Sequence, residues 1–294
     1  SGISERETLN CNENGYYSLY QSDRYGFNNI DNNWNNEIID FALIGDSFVH
    51  GACVNYENTI TGNLNKLFNY KKTIVNIGFN GTGPLIQFAS MKEYLDAYKV
   101  KNIIWFFYEG NDLSNLNNEF KNSILKKYVK NKKYRQNLIK NQQKIDQELL
   151  IYLEEKYNSV SKKNILDAKN IYVEAIVKLL KLYRVRDKFS FKYRYNNELN
   201  KNFELITSLI KNYSEEKKAN LYFIYIPQIE RYKRFFFNDK KNEILDIVKK
   251  LDIKIYDIDI VLQDHDPLDY YPFRFQGHFN ERGYKKITEN FKIN

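Results

Sequence analysis

The sequence contains no apolar run close to the roughly 18 to 20 residues that a helix needs to cross a bilayer. Among its 294 residues there are only 2 Cys, 4 Pro and 1 Met, and 43% of the residues are hydrophobic. Two cysteines without a Cys/His cluster do not provide the ligands of a structural zinc site, so no metal is expected. The hydrophobic content is sufficient for a core. Together these features predict one globular domain, residues 1–294, without a transmembrane segment.

The two cysteines, Cys11 and Cys53, allow two interpretations. In the first they form a single disulfide that ties the N-terminal segment to the loop after Ser47, which would indicate an oxidising compartment. In the second they are two separate buried thiols. Their spacing does not choose between these interpretations.

The chain carries a formal net charge of +8, from 45 Lys and Arg against 37 Asp and Glu. This charge is compatible with an acidic partner such as a polysaccharide, a membrane surface or a nucleic acid. No nucleic-acid-binding motif accompanies it, and the NGTGP stretch at residues 80–84 lacks the lysine of a phosphate-binding loop. We therefore expect no nucleic-acid partner and no cofactor.

Short apolar runs alternate with amphipathic helical patterns along the chain. The runs are typical of strands buried on both faces of a parallel sheet, and they cover residues 38–44, 73–79, 102–108, 220–226 and 253–260. The first helical pattern, at 59–68, places Ile60, Leu64 and Leu67 on one face, and a second lies at 85–98. The alternation predicts an α/β fold with a doubly wound sheet in a three-layer sandwich.

Two segments extend this pattern. From about residue 114 to 200 the sequence is helical without a strand, which predicts a helical insertion. Within it, residues 121–140 carry many Lys and Arg and no acidic residue, and a solvated helix face is favoured over an anion-binding surface. Residues 1–37 are polar and aromatic, with Gly and Asn where turns are needed, and are predicted to wrap the sheet.

Small polar clusters follow the first three predicted strands: GDS at 45–47, NGTG at 80–83 and EGND at 109–112. In an open parallel sheet, ligands bind at the carboxyl ends of the strands, so these clusters should lie together. Ser47 also opens a helical stretch, where a lone serine is commonly only a cap. It is the three clusters together, and not Ser47 alone, that indicate a functional site.

An acyl-transfer site needs a nucleophile, a base and donors aimed at the developing oxyanion. Ser47 offers a hydroxyl, Gly81 a backbone N–H with no side chain in the way, and Asn111 a side-chain amide. His278 lies in a loop before the last helical pattern. These four residues, in this order, predict a serine-based acyl-transfer site.

The arrangement resembles the SGNH hydrolases of the GDSL superfamily over about residues 38 to 294, apart from the insertion. The matching blocks are GDSFVHG with Ser47, NIGFNGTG with Gly81, EGND with Asn111 and GHFNERGY with His278. In the second block, Gly78 or Gly83 are alternatives to Gly81. The resemblance implies a flavodoxin-like α/β/α fold and ester chemistry, with Ser47 and His278 catalytic. It also implies an oxyanion hole formed by Ser47, Gly81 and Asn111.

The sequence departs from this family pattern three residues before the histidine, where an Asp usually orients the ring. Phe275 stands there, so Asp266, or alternatively Asp264, is predicted to supply the carboxylate by another path. A Ser–His dyad oriented by a backbone carbonyl is the further alternative. His50 is expected to pack near or line the pocket, and His265 to cap a loop.

The predicted activity is that of a serine esterase that removes or transfers O-acetyl groups on a bacterial surface glycan. The alternatives are a lipid esterase or thioesterase, and a non-catalytic glycan-binding protein that retains the fold. The expected location is the periplasm or cell envelope, with a signal or anchor preceding Ser1, and the cytoplasm is the alternative. The sequence predicts neither the oligomeric state nor whether water or a hydroxyl accepts the acyl group.

Overall fold

The computed structural model describes residues 2–167, 197–233 and 240–290. Two strands near the N-terminus, β1 (Glu7–Leu9) and β2 (Leu19–Gln21), form an antiparallel hairpin. The remaining strands of the described ranges form one five-stranded sheet and are β3 (Ile38–Ile44), β4 (Ile74–Asn76), β5 (Lys99–Tyr108), β6 (Asn220–Ile226) and β7 (Lys254–Asp257).

The large sheet is entirely parallel, with the strand order β4-β3-β5-β6-β7. Counted along the chain within this sheet, the order is 2-1-3-4-5, which is that of flavodoxin-like doubly wound folds. The predicted fold class is thereby confirmed. The topological switch point lies between β3 and β5, where ligands bind in folds of this kind.

Helices cover both faces of the sheet. In the described ranges they are α1 (Ser47–His50), α2 (Ile60–Leu67), α3 (Pro84–Tyr94), α4 (Asp112–Glu119), α5 (Ser123–Lys130), α6 (Gln142–Asp167), α7 (Asn197–Glu216), α8 (Lys241–Lys250), α9 (Ile258–Val261) and α10 (Glu281–Glu289). None of these helices is long and apolar enough to cross a membrane.

The sheet divides the hydrophobic core into two clusters. On β5, Trp105 and Phe107 belong to the cluster under α3, α7 and α8, whereas Ile104 and Phe106 belong to the one under α1, α2 and α10. This alternation follows from the two-residue period of a strand, which sends successive side chains to opposite faces. Both faces are apolar because both are covered, which explains the continuous apolar runs in the sequence.

The elements differ from the predicted ones at some of their ends. Strand β7 ends at Asp257 because the carboxylate of Asp257 accepts a hydrogen bond from Asp259 N and caps α9. Ile60 and Leu64 are buried as predicted, but Leu67, the last residue of α2, is 51% exposed. The predicted apolar face therefore stops one turn early.

The described chain between β5 and β6 contains helices α4 to α7 and no strand, with a non-helical stretch at residues 131–138. Residues 168–196 of the predicted insertion lie outside the described residues. Its first part docks on α3 through the buried carboxylate of Glu93. That carboxylate accepts hydrogen bonds from Tyr128 Oη at 2.5 Å, Gln136 N at 2.6 Å and Leu138 N at 3.0 Å. The Glu93 carboxylate thus holds the basic stretch at 121–140 against α3.

The N-terminal segment covers the open edge of the sheet at β4. Asn29 exchanges hydrogen bonds with Asn76, donating to its carbonyl at 2.7 Å and accepting from its N–H at 2.8 Å. The side-chain amide of Asn33 donates to Ile74 O at 2.7 Å. Side chains thus satisfy backbone groups that an edge strand would otherwise leave open. This contact fixes the segment that carries the β1–β2 hairpin.

Candidate active site

The turn after β3 presents Ser47 as the first residue of α1. The carboxylate of Asp46 accepts a hydrogen bond from Phe48 N at 3.0 Å, which caps the helix, and burial raises the pKa of Asp46 to about 6. Gly45 permits the turn, since a Cβ there would lie 2.4 Å from Val49 Cγ2. Ser47 is 8% exposed, so its hydroxyl is held within a packed turn.

The Ser47 hydroxyl lies beside His278, although 231 residues separate the two in sequence. The distance between Ser47 Oγ and His278 Nε2 is 2.9 Å. His278 belongs to the loop before α10, whose first turn is capped by the Asn280 side chain accepting from Gly283 N. The structure therefore brings the two predicted catalytic side chains into direct hydrogen-bond contact.

The other side of the His278 ring contacts Glu13. Glu13 Oε1 lies 3.0 Å from His278 Nδ1, and Glu13 Oε2 accepts from the backbone N–H of His278, also at 3.0 Å. A carboxylate only accepts hydrogen bonds, so Nδ1 carries a proton and Nε2 is left to accept from Ser47. Ser47, His278 and Glu13 have the contacts of a serine hydrolase triad.

Glu13 is held in its charged form. Partial burial raises the pKa of this carboxyl, but the hydrogen bonds and charge of His278 lower it by more, so the net pKa lies below its usual value of 4.5. At neutral pH the group is a carboxylate that can orient the imidazole and stabilise the imidazolium.

Glu13, and not Asp266, is the carboxylate at His278. Asp266 accepts from Leu268 N at 3.1 Å, which caps the turn at 267–270, and it forms an ion pair with Arg274. Asp264, the alternative, is paired with Lys286 and accepts from Tyr270 Oη. The prediction that one of these aspartates orients His278 is wrong because both are engaged by local partners.

Sequence reasoning missed Glu13 because the family pattern directs attention to the residues just before His278. Glu13 lies 265 residues away, in the loop of residues 10–18 between β1 and β2. The one feature of the sequence that could have linked Glu13 to the site was a disulfide between the nearby Cys11 and Cys53, which follows Ser47 by six residues. Of the two interpretations of that pair, the disulfide is the one that the structure contains.

The Cys11–Cys53 disulfide joins this loop to the segment that follows α1, with the two Cα atoms 4.7 Å apart. Asn14 Nδ2 also donates to Cys53 O at 2.9 Å. The Cys53 sulfur, a Glu13 carboxylate oxygen and a His278 ring nitrogen all lie within 4.8 Å of one another. Because that sulfur is in a disulfide, it is not a thiolate ligand for a metal.

Gly81 is the glycine of the second block with an available amide. Gly78 N donates to Asn76 Oδ1 at 2.8 Å, and Gly83 N donates to Glu119 Oε1 at 2.5 Å. Gly81 N donates no hydrogen bond to the described part of the chain. Its φ is +72°, and a Cβ there would meet no atom within 4 Å, so open space adjoins this residue.

The turn that carries Gly81 is tied to the nucleophile turn. Phe79 N and Thr82 Oγ1 both donate to Gly45 O, at 3.3 Å and 3.2 Å. Since β4 and β3 are neighbours in the sheet, these bonds join the loops at the carboxyl ends of two adjacent strands.

Asn111 occupies the N-cap position of α4, at the end of β5 on the other side of β3. Its side-chain oxygen is buried and has no hydrogen-bond partner among the described residues. The following Asp112 is buried and accepts from Tyr108 N at 3.0 Å, and burial raises its pKa well above the usual value. The loops bearing Ser47 and Asn111 thus flank the topological switch point, and the loop bearing Gly81 follows the neighbouring strand β4.

The remaining histidines are outside the Ser47–His278–Glu13 chain of hydrogen bonds. His50 packs edge-on against Tyr20 and Phe79, with ring centroids 5.0 Å and 5.5 Å away, and its Nδ1 lies 3.4 Å from Gly78 O. Burial lowers the pKa of His50 from 6.5 to about 4, so the ring is neutral. His265 is exposed at the end of a short 3-10 helix.

The buried His50 predicts a measurable pH dependence of stability. Its pKa is lower in the folded than in the unfolded chain, so as the pH falls below 6.5 the unfolded chain binds the proton first. The buried neutral His50 therefore makes its full contribution to the free energy of unfolding above about pH 6.5. Between there and about pH 4 the wild type should lose about 3 kcal/mol of unfolding free energy relative to His50→Phe. Urea unfolding of both proteins at pH 4 to 7 measures this difference, and parallel pH profiles would contradict it.

No family model and no curated protein matches the sequence. Among solved structures, a two-domain esterase active on acetylated mannans is similar with a TM-score of 0.46 and 10% identity, over 88% of this chain and 48% of that one. The same esterase co-crystallised with mannopentaose gives 0.44 and 10%, over 88% and 49%. The chain therefore spans about half the length of that esterase.

A third similar structure is a protein from Desulfitobacterium hafniense DCB-2, assigned to the G-D-S-L family of lipolytic proteins. Its TM-score is 0.41 at 15% identity, over 86% of this chain and 97% of that one. The parallel sheet with its 2-1-3-4-5 order, carrying Ser47 directly after the first of its strands, is a flavodoxin-like α/β sandwich. That fold is the one the sequence resemblance implied.

Proposed function

We propose that the protein is a serine esterase that works through an acyl-enzyme and acts on O-acetyl groups of a glycan. One observation carries the esterase assignment. It is the continuous chain of hydrogen bonds from Ser47 Oγ to His278 Nε2, and from His278 Nδ1 to the Glu13 carboxylate. A nucleophile, a base and an orienting acid in contact are the parts that acyl transfer requires.

In the proposed reaction, His278 Nε2 takes the proton of Ser47 Oγ as that oxygen attacks the ester carbonyl carbon. Glu13 keeps the ring in place and stabilises the imidazolium. The N–H groups of Ser47 and Gly81 and the amide of Asn111 stabilise the oxyanion. His278 then protonates the departing alcohol, and water or a sugar hydroxyl attacks the acyl-enzyme and restores Ser47.

Features near the site support a carbohydrate substrate. Phe273 and Phe275, in the loop leading to His278, are 63% and 60% exposed, with ring centroids 6.1 Å apart. Exposed aromatic rings offer flat apolar faces against which the C–H face of a sugar ring can pack. The net charge of +8 suits an acidic polysaccharide.

The proposed location is an oxidising compartment such as the periplasm or cell envelope. The Cys11–Cys53 disulfide supports this, since disulfides persist where thiols are not kept reduced.

A substrate panel tests the proposed function. The protein should label with a fluorophosphonate and release acetate from an aryl acetate and from acetylated mannan, with little activity on long-chain acyl esters or thioesters. Adding deacetylated glycan as an acceptor shows whether acetyl transfer competes with release of free acetate.

Two outcomes would overturn parts of the proposal. Preference for long acyl chains would replace the glycan substrate by a lipid. A folded protein that neither labels nor turns over any ester would make the chain a binding protein.

A further inference from the structure

We propose that the Cys11–Cys53 disulfide positions the catalytic acid, so that its reduction lowers esterase activity and its reformation restores it. This inference rests on the proposed function, because it concerns the same Ser47–His278–Glu13 site. It assigns Cys11 and Cys53 as positioning residues that act through Glu13.

Glu13 lies in the loop between β1 and β2. The loop of residues 10–18 is closed at its base by hydrogen bonds from Asn10 N to Ser18 O at 2.9 Å and from Ser18 N to Cys11 O at 2.8 Å. Glu13 lies beyond this base, two residues after Cys11, in a loop with no regular secondary structure. Without a tether, such a loop tip would sample several positions.

The disulfide connects this loop to a buried segment near the nucleophile. Cys53 is fully buried six residues after Ser47, and the carbonyl of the adjacent Ala52 accepts from Tyr284 Oη at 3.0 Å. The disulfide therefore joins the loop of Glu13 to the rigid segment that carries the nucleophile. Through Tyr284, that segment also contacts α10, which follows the loop of His278.

Few other contacts link the loop of residues 10–18 to the rest of the described chain. Apart from the contacts of Glu13 with His278, Asn14 Nδ2 donates to Cys53 O at 2.9 Å and Tyr16 Oη donates to the exposed Glu281 at 2.8 Å. At the base of the loop, Asn10 donates to Gly51 O and accepts from Asn80 Nδ2, both at 3.4 Å. These are single hydrogen bonds that water can replace. After reduction, the Glu13 carboxylate should therefore be within hydrogen-bond distance of His278 for only part of the time.

The chemistry requires a dithiol reductant. Cys11 is partly exposed and Cys53 is buried, so the incoming thiolate attacks the Cys11 sulfur. The S–S bond breaks, Cys53 leaves as a thiolate and takes a proton, and a mixed disulfide forms at Cys11. The second thiol of the reductant then releases Cys11 as a thiol and closes the reductant's own disulfide. Two electrons and two protons pass to the protein.

The test compares oxidised and dithiothreitol-reduced protein on an aryl acetate. Reduction should lower kcat by about 10- to 100-fold with little change in KM, because misplacing a positioning group by about 1 Å costs rate on that scale. Reoxidation should restore kcat, and Cys11→Ser/Cys53→Ser should behave like the reduced protein.

The matched control is Glu13→Gln, in which reduction should cause no further loss because the group that the disulfide positions is absent. All assays are run at a temperature where circular dichroism shows both redox forms folded. Equal losses in the wild type and Glu13→Gln would overturn the inference and leave the disulfide a stabiliser of the fold. Unchanged kcat on reduction would overturn it as well. Failure of the oxidised protein to label with a fluorophosphonate would instead overturn the proposed function.

Discussion

Ser47→Ala is expected to abolish fluorophosphonate labelling and to lower kcat on an aryl acetate by about 10⁴-fold or more, the scale seen when a nucleophile is removed from a triad. The physical reason is that no other hydroxyl among the described residues contacts His278 Nε2, so no acyl-enzyme can form. Any residual rate would come from direct attack of water on the ester, with the oxyanion donors stabilising the charge that develops on the carbonyl oxygen.

The matched control for this variant is Ser208→Ala. Ser208 lies on an exposed face of α7, where its hydroxyl donates to Glu204 O at 2.8 Å. The Ser208→Ala variant removes the same hydroxyl oxygen from a serine that does not contact the site. Labelling and kcat should therefore remain within about twofold of the wild type. An unchanged rate for Ser47→Ala would reject Ser47 as the nucleophile, whatever the control shows.

Glu13→Gln is expected to lower kcat by about 10² to 10⁴-fold. The carboxylate accepts two N–H groups of one residue, the backbone N–H and Nδ1–H of His278. A glutamine has one oxygen and one NH₂ group, so it can accept only one of them. If its NH₂ group faces the ring, it donates to Nδ1 and places the ring proton on Nε2, where His278 can no longer accept from Ser47.

Asp266→Asn is the control that separates Glu13 from the predicted orienting residue. Asn is also a good cap, and Asp266 is an exposed group paired with Arg274, so this variant should keep its activity within about twofold. Steady-state kinetics of the two variants across pH 5 to 9 make the comparison. A large loss in Asp266→Asn with none in Glu13→Gln would reverse the assignment made from the structure.

Much of the fold can be predicted from the sequence because the strands are specified by patterns of neighbouring residues. The strands at 38–44 and 220–226 are observed with the predicted bounds, since an apolar run between turn residues specifies a strand buried on both faces. Ser47, Asn111 and His278 could be picked out for the same reason. Each lies in a short block next to the end of a strand or the start of a helix.

The sequence favours Gly81 but leaves Gly78 and Gly83 as alternatives. All three are glycines of one turn region, and what separates them is whether another group accepts their N–H. That acceptor for Gly83 is Glu119, 36 residues away, so only tertiary packing decides which amide remains available.

Hydrophobic periodicity and strand-end motifs are properties of neighbouring residues, so they are sufficient to predict the parallel α/β architecture and the candidate residues Ser47, Asn111 and His278. The identity of the acid and the presence of the disulfide depend on tertiary packing. Glu13 and Asp266 are both carboxylates in polar stretches, and nothing local distinguishes them. What distinguishes them is that Arg274 engages Asp266, whereas the hairpin loop, tied through Cys11 to Cys53, carries Glu13 across the fold to His278.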